Sequence, residues 1–437
     1  MSLWSLSGVE GRNYPFFRGN MKKSFLSILL LALLVSFTSC EKQKGTVTPE
    51  QLCYDIQRIQ LDLAYSSMKE LYNPKPFEQL KQEVMEGKVS REDCVYRIRK
   101  IISDFHIVHL NLQVIPSEPV DYLYSPIIFN CFGNDYYVIA TVPAYNRYKG
   151  WKVKEVGGLP VKQACDRLLE FQFYETTTGA KYCCTQEFFY NIFKYAGLLS
   201  KNNKINFLLE SSDGEQKKLS CSFESTKKTR WSGLQLKKQN PYSPYYVAQN
   251  YALKTCPEKR TVYVPYNSCQ GIAEYPVTAL ISDLMKELET GLYDTVVFDI
   301  RLNGGGEQPV TYIFRHQLYD HKEELSKYNM AIVIGGRTYS AACWFLNNFL
   351  DVFPDATVFG EETGQAVINY TMVCPYRLHY LNCNFIFPQI VDDLPVLKAR
   401  AKDIYRGTVP DVEIQECFED YINGEDTIYN TIYEYYK

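Results

Sequence analysis

The sequence predicts a mixed α/β fold in which an N-terminal helical domain and a β-rich module precede an α/β domain. Three observations lead to this prediction. Apolar residues recur at helical spacing near the start of the chain, for example at Leu52 and Ile56. Alternating patterns typical of strands occupy the middle of the chain. Continuous apolar runs such as Thr295–Ile300 alternate with helical patterns towards the end, as expected for buried parallel strands.

Length, charge and cysteine usage narrow the functional classes. With 437 residues, of which 46% are hydrophobic, the chain is long enough to bury a large core in two or three domains. A net charge of -3 gives none of the basic footprint of a nucleic-acid-binding protein. The 14 cysteines show no disulfide framework and no CxxC pair. We therefore predict mostly buried thiols, at most one or two bridges, and no structural zinc.

Residues 21–40 resemble a bacterial lipoprotein signal. The basic stretch Met21–Lys23 is followed by the apolar run Phe25–Phe37, and Cys40 stands at the cleavage point. The apolar run is too short to span a bilayer comfortably. The resemblance implies that Cys40 carries a lipid anchor, that residues 41–47 form a tether, and that the protein sits in the cell envelope, periplasmic or surface-exposed.

Residues 48–115 are predicted to form the N-terminal helical domain. Thr48 and Pro49 begin a helix, and the glutamine three residues after the threonine completes a capping box. A second helix is predicted after Ser90. The domain ends in Asp104–Leu110, a segment that contains two histidines.

Residues 120–230 are predicted to form the β-rich module. Two alternating runs on either side of Ser212–Gly214 indicate a hairpin. The segment Gly150–Val161 resembles the strand, turn and helix of a PDZ-like module, in which an exposed edge captures an extended peptide. An unspecialised β spacer is the alternative.

Residues 231–437 are predicted to form the α/β domain, because apolar strand patterns alternate with amphipathic helix patterns. The predicted strands are Thr261–Pro265, Thr295–Ile300, Met330–Ile334 and Thr357–Phe359, and the predicted helices are Val277–Leu288 and Cys343–Val352.

Ser340 lies in a turn of small residues between a predicted strand and a predicted helix. Unpaired N–H groups and the positive end of the helix dipole at that position would stabilise a developing oxyanion. Ser340 is therefore a candidate nucleophile. The alternative is an ordinary helix N-cap, which is the commoner role of a serine before a helix.

Gly304–Gly306 end another predicted strand and let the backbone approach a ligand closely. The glycines have neither the lysine of a phosphate-binding P-loop nor the spacing of a dinucleotide fingerprint, which argues against a nucleotide site. Beside a serine turn they predict an oxyanion hole, with one N–H from Gly305 or Gly306 and the other from Ala341.

Four motifs in this order resemble the tail-specific protease family, which includes the C-terminal processing peptidases and the tricorn core protease. They are Asp299–Gly306, Gly336–Ala342, Gly360–Gly364 and Gly407–Val412. The resemblance implies a crotonase/ClpP-like ββα catalytic domain. It also implies a serine endopeptidase that cleaves peptides or unfolded protein tails through an acyl-enzyme, without a cofactor or a metal.

The resemblance offers two designs for the general base. The processing-peptidase branch uses a lysine shortly after the motif that matches Gly360–Gly364, but Gln365 stands there and has no titratable group. The tricorn-like branch uses an upstream histidine in an Asp-x-His context, which Asp104–His106 match. The resemblance thus implies His106 as the base, with Asp403 as the acid that orients it.

Two alternatives stay open. On a helix, His106 and His109 would share a face and could bind a metal, but Ile107 and Val108 between them favour a strand, which would point the rings to opposite faces. Phe105 replaces a serine of tricorn, and together with the missing lysine it favours a second function. In that case the chain would be a catalytically inactive lipoprotein that binds peptides, lipids or glycans.

Overall fold

The structure is a computed structural model that describes residues 47–114 and 122–437. The predicted signal and nearly all of the tether, including Cys40, lie outside the described residues. Within the two described ranges, no helix combines the length and the apolar character needed to cross a membrane.

Residues 47–114, the described part of the first region, contain three helices and one strand, and both predicted helix starts are confirmed. The elements are α1 (Pro49–Tyr65), α2 (Lys75–Met85), α3 (Arg91–Ser103) and β1 (Asn111–Val114). Thr48 accepts a hydrogen bond from the Gln51 N–H and completes the predicted capping box. Ser90 accepts the N–H of Asp93 and caps α3 in the same way.

The middle region is built on one antiparallel sheet of seven strands. Its elements are β2 (Leu123–Tyr124), β3 (Ile127–Phe132), β4 (Asp135–Thr141), β5 (Lys152–Val156), β6 (Leu159–Pro160), α4 (Val161–Leu169), α5 (Thr177–Cys183), α6 (Tyr190–Tyr195), β7 (Ile205–Glu210), β8 (Gln216–Cys221), β9 (Glu224–Ser225) and β10 (Ser232–Gly233). The strand order is β10-β4-β5-β7-β8, with β3 also on β4 and β6 also on β5. The predicted turn at Ser212–Gly214 joins β7 to β8.

The last region contains the α/β domain. Its elements are β11 (Lys254–Cys256), β12 (Thr261–Pro265), α7 (Val277–Leu288), β13 (Thr295–Asp299), α8 (Gln308–Asp320), α9 (Lys322–Leu325), β14 (Asn329–Ile334), α10 (Ala341–Val352), β15 (Thr357–Gly360), β16 (Asn369–Leu378), β17 (Cys383–Asp392), α11 (Pro395–Arg400), β18 (Val412–Glu413), α12 (Phe418–Asn423) and α13 (Thr427–Tyr436). The four predicted strands and two predicted helices are present within one or two residues of the expected bounds.

A six-stranded sheet forms the centre of this domain, in the order β11-β12-β13-β14-β15-β18. All neighbours are parallel except β11 and β12. Successive side chains divide between two cores: Val296 and Phe298 face α7, α8 and α10, whereas Val297 faces α13. Burial on both faces explains why these strands are continuous apolar runs in the sequence.

A long hairpin from the last region completes the first one. The strands β16 and β17 pair with each other, and β1 pairs with β17 from Asn111 to Val114. Leu378 and Phe385 of this hairpin lie in the same core as α1, α2 and α3. The helical domain predicted as residues 48–115 is therefore not a contiguous piece of chain, because its sheet is contributed largely by residues 369–392.

The two histidines at the end of the first region are not on the strand that their apolar neighbours indicated. His106 and His109 lie in the irregular segment between α3 and β1. We call residues 106–109 the histidine segment. The described cysteines are all free thiols, most of them buried, and the described residues contain no cluster suited to a metal ion.

We predict that Asp55 fixes the hairpin to the helical region. The Asp55 carboxylate lies on α1, is 1% exposed, and accepts the N–H groups of Tyr380 and Leu381 at 2.8 Å each. Asp55→Ala leaves both N–H groups unpaired in the core, and we expect the free energy of unfolding to fall by about 3 kcal/mol. Urea denaturation followed by circular dichroism measures this change.

Asp393→Ala is the matched control. Among the described residues Asp393 pairs only with Lys398, and its side chain is 76% exposed, so its loss should change the stability by less than about 0.5 kcal/mol. Equal stabilities of the two variants would contradict the role assigned to Asp55.

Candidate active site

The parallel sheet brings the serine turn and the glycine loop together. The loop follows β13 and the turn follows β14, and these strands are parallel neighbours with Asp299 paired to Val333. Because parallel strands end at the same edge of a sheet, both segments emerge side by side, where ligands commonly bind in α/β folds.

Ser340 adopts a conformation that is rare for a residue with a side chain. Its φ is 55° and its ψ is -123°, and it immediately precedes α10. A non-glycine residue held at such angles stores strain of roughly 1–3 kcal/mol. The Ser340 side chain makes no capping hydrogen bond to the helix, so the N-cap alternative does not describe its role.

Hydrogen bonds from the neighbouring loops hold the serine turn in place. The Thr338 hydroxyl donates to the Ile300 carbonyl at 3.0 Å and accepts the Gly335 N–H at 3.1 Å. The Tyr339 N–H donates to the Asn303 carbonyl at 3.1 Å. The turn is thus fastened to the segment that leaves β13.

Gln365 occupies the position at which the processing-peptidase branch would have a lysine, and its role here is structural. Its Oε1 accepts the Ser340 N–H, and its Nε2 donates to Asn369 Oδ1. Asn369 in turn donates to Asp392 at 3.4 Å. The Gln365 and Asn369 side chains are fully buried. Their hydrogen-bonded side-chain amides therefore support the serine turn from the protein interior. The sequence contained no signal for Asn369.

At two of the three loop glycines there is no room for a side chain. A Cβ on Gly305 would lie 2.7 Å from Ser340 Cβ and 2.9 Å from the Tyr339 carbonyl, and a Cβ on Gly306 would lie 2.7 Å from the Cys269 carbonyl. Both residues also have positive φ, 95° and 143°. Gly304 has open space around it.

The amides of this loop differ in their availability. The Gly305 N–H donates to Asn303 Oδ1 at 2.9 Å, so it is already engaged, which corrects the expectation that it could serve the oxyanion hole. The Gly306 and Ala341 N–H groups donate to no acceptor in the described part of the chain. The Ala341 nitrogen lies only 3.0 Å from the Cβ position of Gly305. Two free donors therefore remain beside Ser340.

His106 is exposed at the surface of the histidine segment. Its φ is 51°, its backbone N–H donates to the Ser103 carbonyl, and its ring packs at 4.9 Å from the ring of Tyr174. Neither its ring nor the Ser340 hydroxyl forms a hydrogen bond with another described residue. The structure thus does not join the predicted base to the predicted nucleophile.

His109 is the histidine whose ring is oriented by the protein. Its Nδ1 lies 2.6 Å from the Tyr370 carbonyl. Since a carbonyl only accepts, Nδ1 carries the proton and Nε2 is left as an acceptor. Burial lowers the pKa of His109, and this hydrogen bond raises it in part. The sequence indicated His109 only as a possible metal ligand. The described residues contain no cluster of side chains that could hold a metal ion with it.

Asp403 does not orient a histidine. Its carboxylate is exposed and accepts the N–H of Tyr405, two residues along its own loop, at 2.9 Å. This contact stabilises a local turn. The prediction that Asp403 is the acid of a triad is therefore not supported by its contacts.

The two late motifs are structural partners. Glu362 accepts the Gly407 N–H at 3.0 Å, and Thr363 Oγ1 accepts the Thr408 N–H at 2.8 Å. Glu361 accepts the Tyr182 hydroxyl at 3.1 Å. The motifs fix the backbone around Gln365 rather than supply reacting groups.

A buried ionic cluster anchors the start of the glycine loop. The Arg301 guanidinium is 4% exposed and contacts Asp299 at 2.6 Å, Asp426 at 3.1 Å and Glu416 at 3.1 Å. Asp426 also caps α13 through the Tyr429 N–H. The C-terminal helix is thereby tied to the loop beside Ser340.

Comparison with solved structures identifies the fold. Mature CPAF complexed with lactacystin matches with a TM-score of 0.60 and 10% sequence identity, over 89% of this chain and 97% of that one. The chain has the fold of mature CPAF. Mature CPAF in a second structure matches with a TM-score of 0.58 and 11% identity over 88% of this chain and 96% of that one.

A serine-to-alanine mutant of CPAF matches with a TM-score of 0.56 and 10% identity over 88% of this chain and 96% of that one. No family model matches the sequence, and no curated protein matches it. The predicted α/β fold, with a helical region and a β-rich module before the central domain, is confirmed by the CPAF structures. At this identity the likeness to CPAF concerns the fold.

We predict that Gly305→Ala disrupts the serine turn. The added methyl would overlap Ser340 and the Tyr339 carbonyl, and the residue would keep a φ of 95°, so we expect a loss of at least about 3 kcal/mol in stability. Urea denaturation followed by circular dichroism measures the loss. Gly304→Ala is the control and should cost less than about 1 kcal/mol, because nothing lies near its Cβ position. Equal losses would contradict the close packing.

Proposed function

We propose that this protein is a serine peptidase of the tail-specific type, which cleaves peptides or unfolded protein tails. The observation that carries the proposal is the strained Ser340 turn at the start of α10, with the free Gly306 and Ala341 N–H groups beside it. Nucleophilic serines occupy such strained turns between a strand and a helix because the turn exposes the hydroxyl. The fold shared with CPAF and the resemblance to tail-specific proteases support the same function.

In the proposed reaction the Ser340 hydroxyl attacks the carbonyl carbon of the scissile bond while a histidine takes its proton. The Gly306 and Ala341 N–H groups would bind the oxyanion that forms. The protonated histidine would then give its proton to the leaving amine, and an acyl-enzyme would remain on Ser340. Water, activated by the same histidine, would release the acid product.

The base comes from the histidine segment in this proposal. The resemblance assigns the role to His106, whose ring is accessible and whose Asp-x-His context matches. His109 is the competing base, because its Nδ1 hydrogen bond to the Tyr370 carbonyl leaves Nε2 free to accept a proton. In neither case would Asp403 contribute. Comparison of two histidine variants distinguishes these assignments.

A second candidate function is peptide binding without catalysis. It is favoured by one observation, the lack of a hydrogen bond between the Ser340 hydroxyl and any described side chain. Hydrogen bonds of active sites are often long in the absence of substrate, so this observation does not outweigh the serine turn. Capture of the peptide by the PDZ-like edge of the β-rich module remains a prediction under either function.

We also propose that the mature protein is anchored in the cell envelope through a lipid on Cys40. The proposal rests on the sequence of residues 21–40, which lie outside the described residues.

We predict that a fluorophosphonate probe labels Ser340 in a histidine-dependent manner. Ser340→Ala should abolish labelling, because the nucleophile is lost. His106→Ala should slow labelling by at least about 100-fold, the usual size of a general-base effect. The second-order rate constant of labelling, followed by gel fluorescence, measures both changes.

His109→Ala and His316→Ala complete this experiment. A larger loss in His109→Ala than in His106→Ala would move the role of base to His109. His316 is exposed on α8, far along the chain from the histidine segment, and its substitution should leave the rate unchanged. If the unaltered protein is not labelled, the binding function replaces the catalytic one.

We predict that Cys40→Ala moves the protein from the membrane fraction to the soluble fraction of cells. The substitution removes the thiol that would carry the acyl chains, and acylation is the only anchor in this proposal. Cell fractionation and incorporation of labelled palmitate measure the outcome. Cys53→Ala, at another thiol near the start of the mature chain, should leave both unchanged. Retention of Cys40→Ala in the membrane would contradict the anchor.

A further inference from the structure

Three consecutive residues of the β-rich module lie between the histidine segment and the backbone that supports Ser340. They are Tyr174, Glu175 and Thr176, which precede α5 and which we call the bridge segment. Each of them makes a contact outside its own module. The proposed mechanism uses none of the three residues.

Glu175 contacts both other regions of the chain at once. Its Oε1 accepts the Val108 N–H at 2.9 Å, and its Oε2 accepts the Ala366 N–H at 2.9 Å. Val108 lies between the two histidines of the histidine segment. Ala366 follows Gln365, whose side chain accepts the Ser340 N–H. One carboxyl group therefore links the candidate bases to the support of the candidate nucleophile.

The link is made at an energetic cost. Glu175 is partly buried and forms no ion pair within the described part of the chain, so its two backbone contacts compensate for the water that the carboxyl group loses. Burial raises the pKa of the Glu175 carboxyl to about 8, against the lowering effect of the two N–H donors. A hydrophobic residue at this position could accept neither N–H.

The residues on either side of Glu175 repeat the same connection. The Tyr174 ring packs on the His106 ring at 4.9 Å. The Thr176 hydroxyl donates to the Thr363 carbonyl at 2.9 Å and accepts the Gly179 N–H as the cap of α5. The bridge segment thus contacts the histidine segment and the turn after β15 through successive side chains.

The helix that follows the bridge segment packs closely against the backbone near the serine turn. A Cβ on Gly179 of α5 would lie 2.7 Å from the Gly364 carbonyl, and a Cβ on Gly336 would lie 2.8 Å from the Thr178 carbonyl. The two backbones therefore pack directly against each other, with no side chain between them. The module therefore provides a fixed support next to the serine turn.

We propose that Glu175 is a positioning residue that holds the histidine segment against the serine turn, so that the β-rich module takes part in building the active site. The inference rests on the proposed function for its catalytic consequence. Its physical content is that an irregular segment between α3 and β1 is fixed by an acceptor from another region. Because Val108 lies between His106 and His109, its hydrogen bond to Glu175 positions whichever of the two histidines is the base.

Hydrogen exchange of the full-length protein tests, independently of activity, whether Glu175 holds the histidine segment in place. Glu175→Ala removes both acceptors, and we expect amides of the peptide covering residues 106–110 to exchange at least tenfold faster. Glu175→Gln keeps one acceptor oxygen and should give a smaller increase. Unchanged exchange in Glu175→Ala would overturn the inference.

Glu170→Gln is the matched control. Glu170 belongs to the same module and also contacts the helical region, through Lys100 on α3, but it is partly exposed and makes no contact with the histidine segment. Its substitution should alter neither the exchange of residues 106–110 nor the labelling rate.

The labelling rate of Ser340 tests the catalytic consequence. We expect Glu175→Ala to lower the rate at least tenfold, and Glu175→Gln to lower it less. In a background that already lacks the base histidine, Glu175→Ala should have no further effect, because positioning matters only while the base is present. An equal fold-loss in both backgrounds would assign Glu175 to general stability and would overturn the positioning role.

The two proposals fail in different ways. If Ser340 is not labelled in the unaltered protein, the proposed peptidase function fails, and the exchange measurement still decides whether Glu175 holds the histidine segment. If Ser340 is labelled and Glu175→Ala labels at the same rate, the positioning role fails and the peptidase function stands.

Discussion

The close approach of Gly305 to Ser340 is the contact on which the site depends. With 2.7 Å between the Gly305 Cβ position and Ser340 Cβ, no other residue type fits between the two loops. The approach brings the Ala341 nitrogen next to the glycine loop and holds Ser340 at a positive φ. Backbone strain of this kind is sustained only when the surroundings over-determine the backbone, and here the hydrogen bond to Gln365 adds a second restraint.

Buried networks of ionic and amide side chains hold the glycine loop and the serine turn in place from the protein interior. Arg301 is surrounded by carboxylates from β13 and from the C-terminal segment, and removing one partner would leave an uncompensated charge in the core. The serine turn is supported instead by the neutral side chains of Gln365 and Asn369, which are hydrogen-bonded to each other. At the position where the resemblance implies a lysine, Gln365 supplies an additional support instead of a titratable group, so under the proposed function the base comes from elsewhere.

The proposed base belongs to a region more than two hundred residues away in sequence, and two features connect this region to the segment that supports Ser340. The hairpin β16–β17 pairs with β1, which directly follows the histidine segment. Glu175 then fixes Val108 and Ala366 to one carboxyl group. In the proposed site the helical region, the β-rich module and the α/β domain each contribute a part, so none of them contains it by itself.

The sequence by itself determined the parallel sheet, the helix starts at Thr48 and Ser90 and the place of Ser340, because these follow from local periodicity and capping. It could not show that Asp403 serves only its own loop, that the Gly305 N–H is engaged, or that His109 is oriented by a carbonyl. Those outcomes depend on contacts between residues distant in sequence. Periodicity reports which face of an element is buried, but only the assembled chain decides which polar groups meet there.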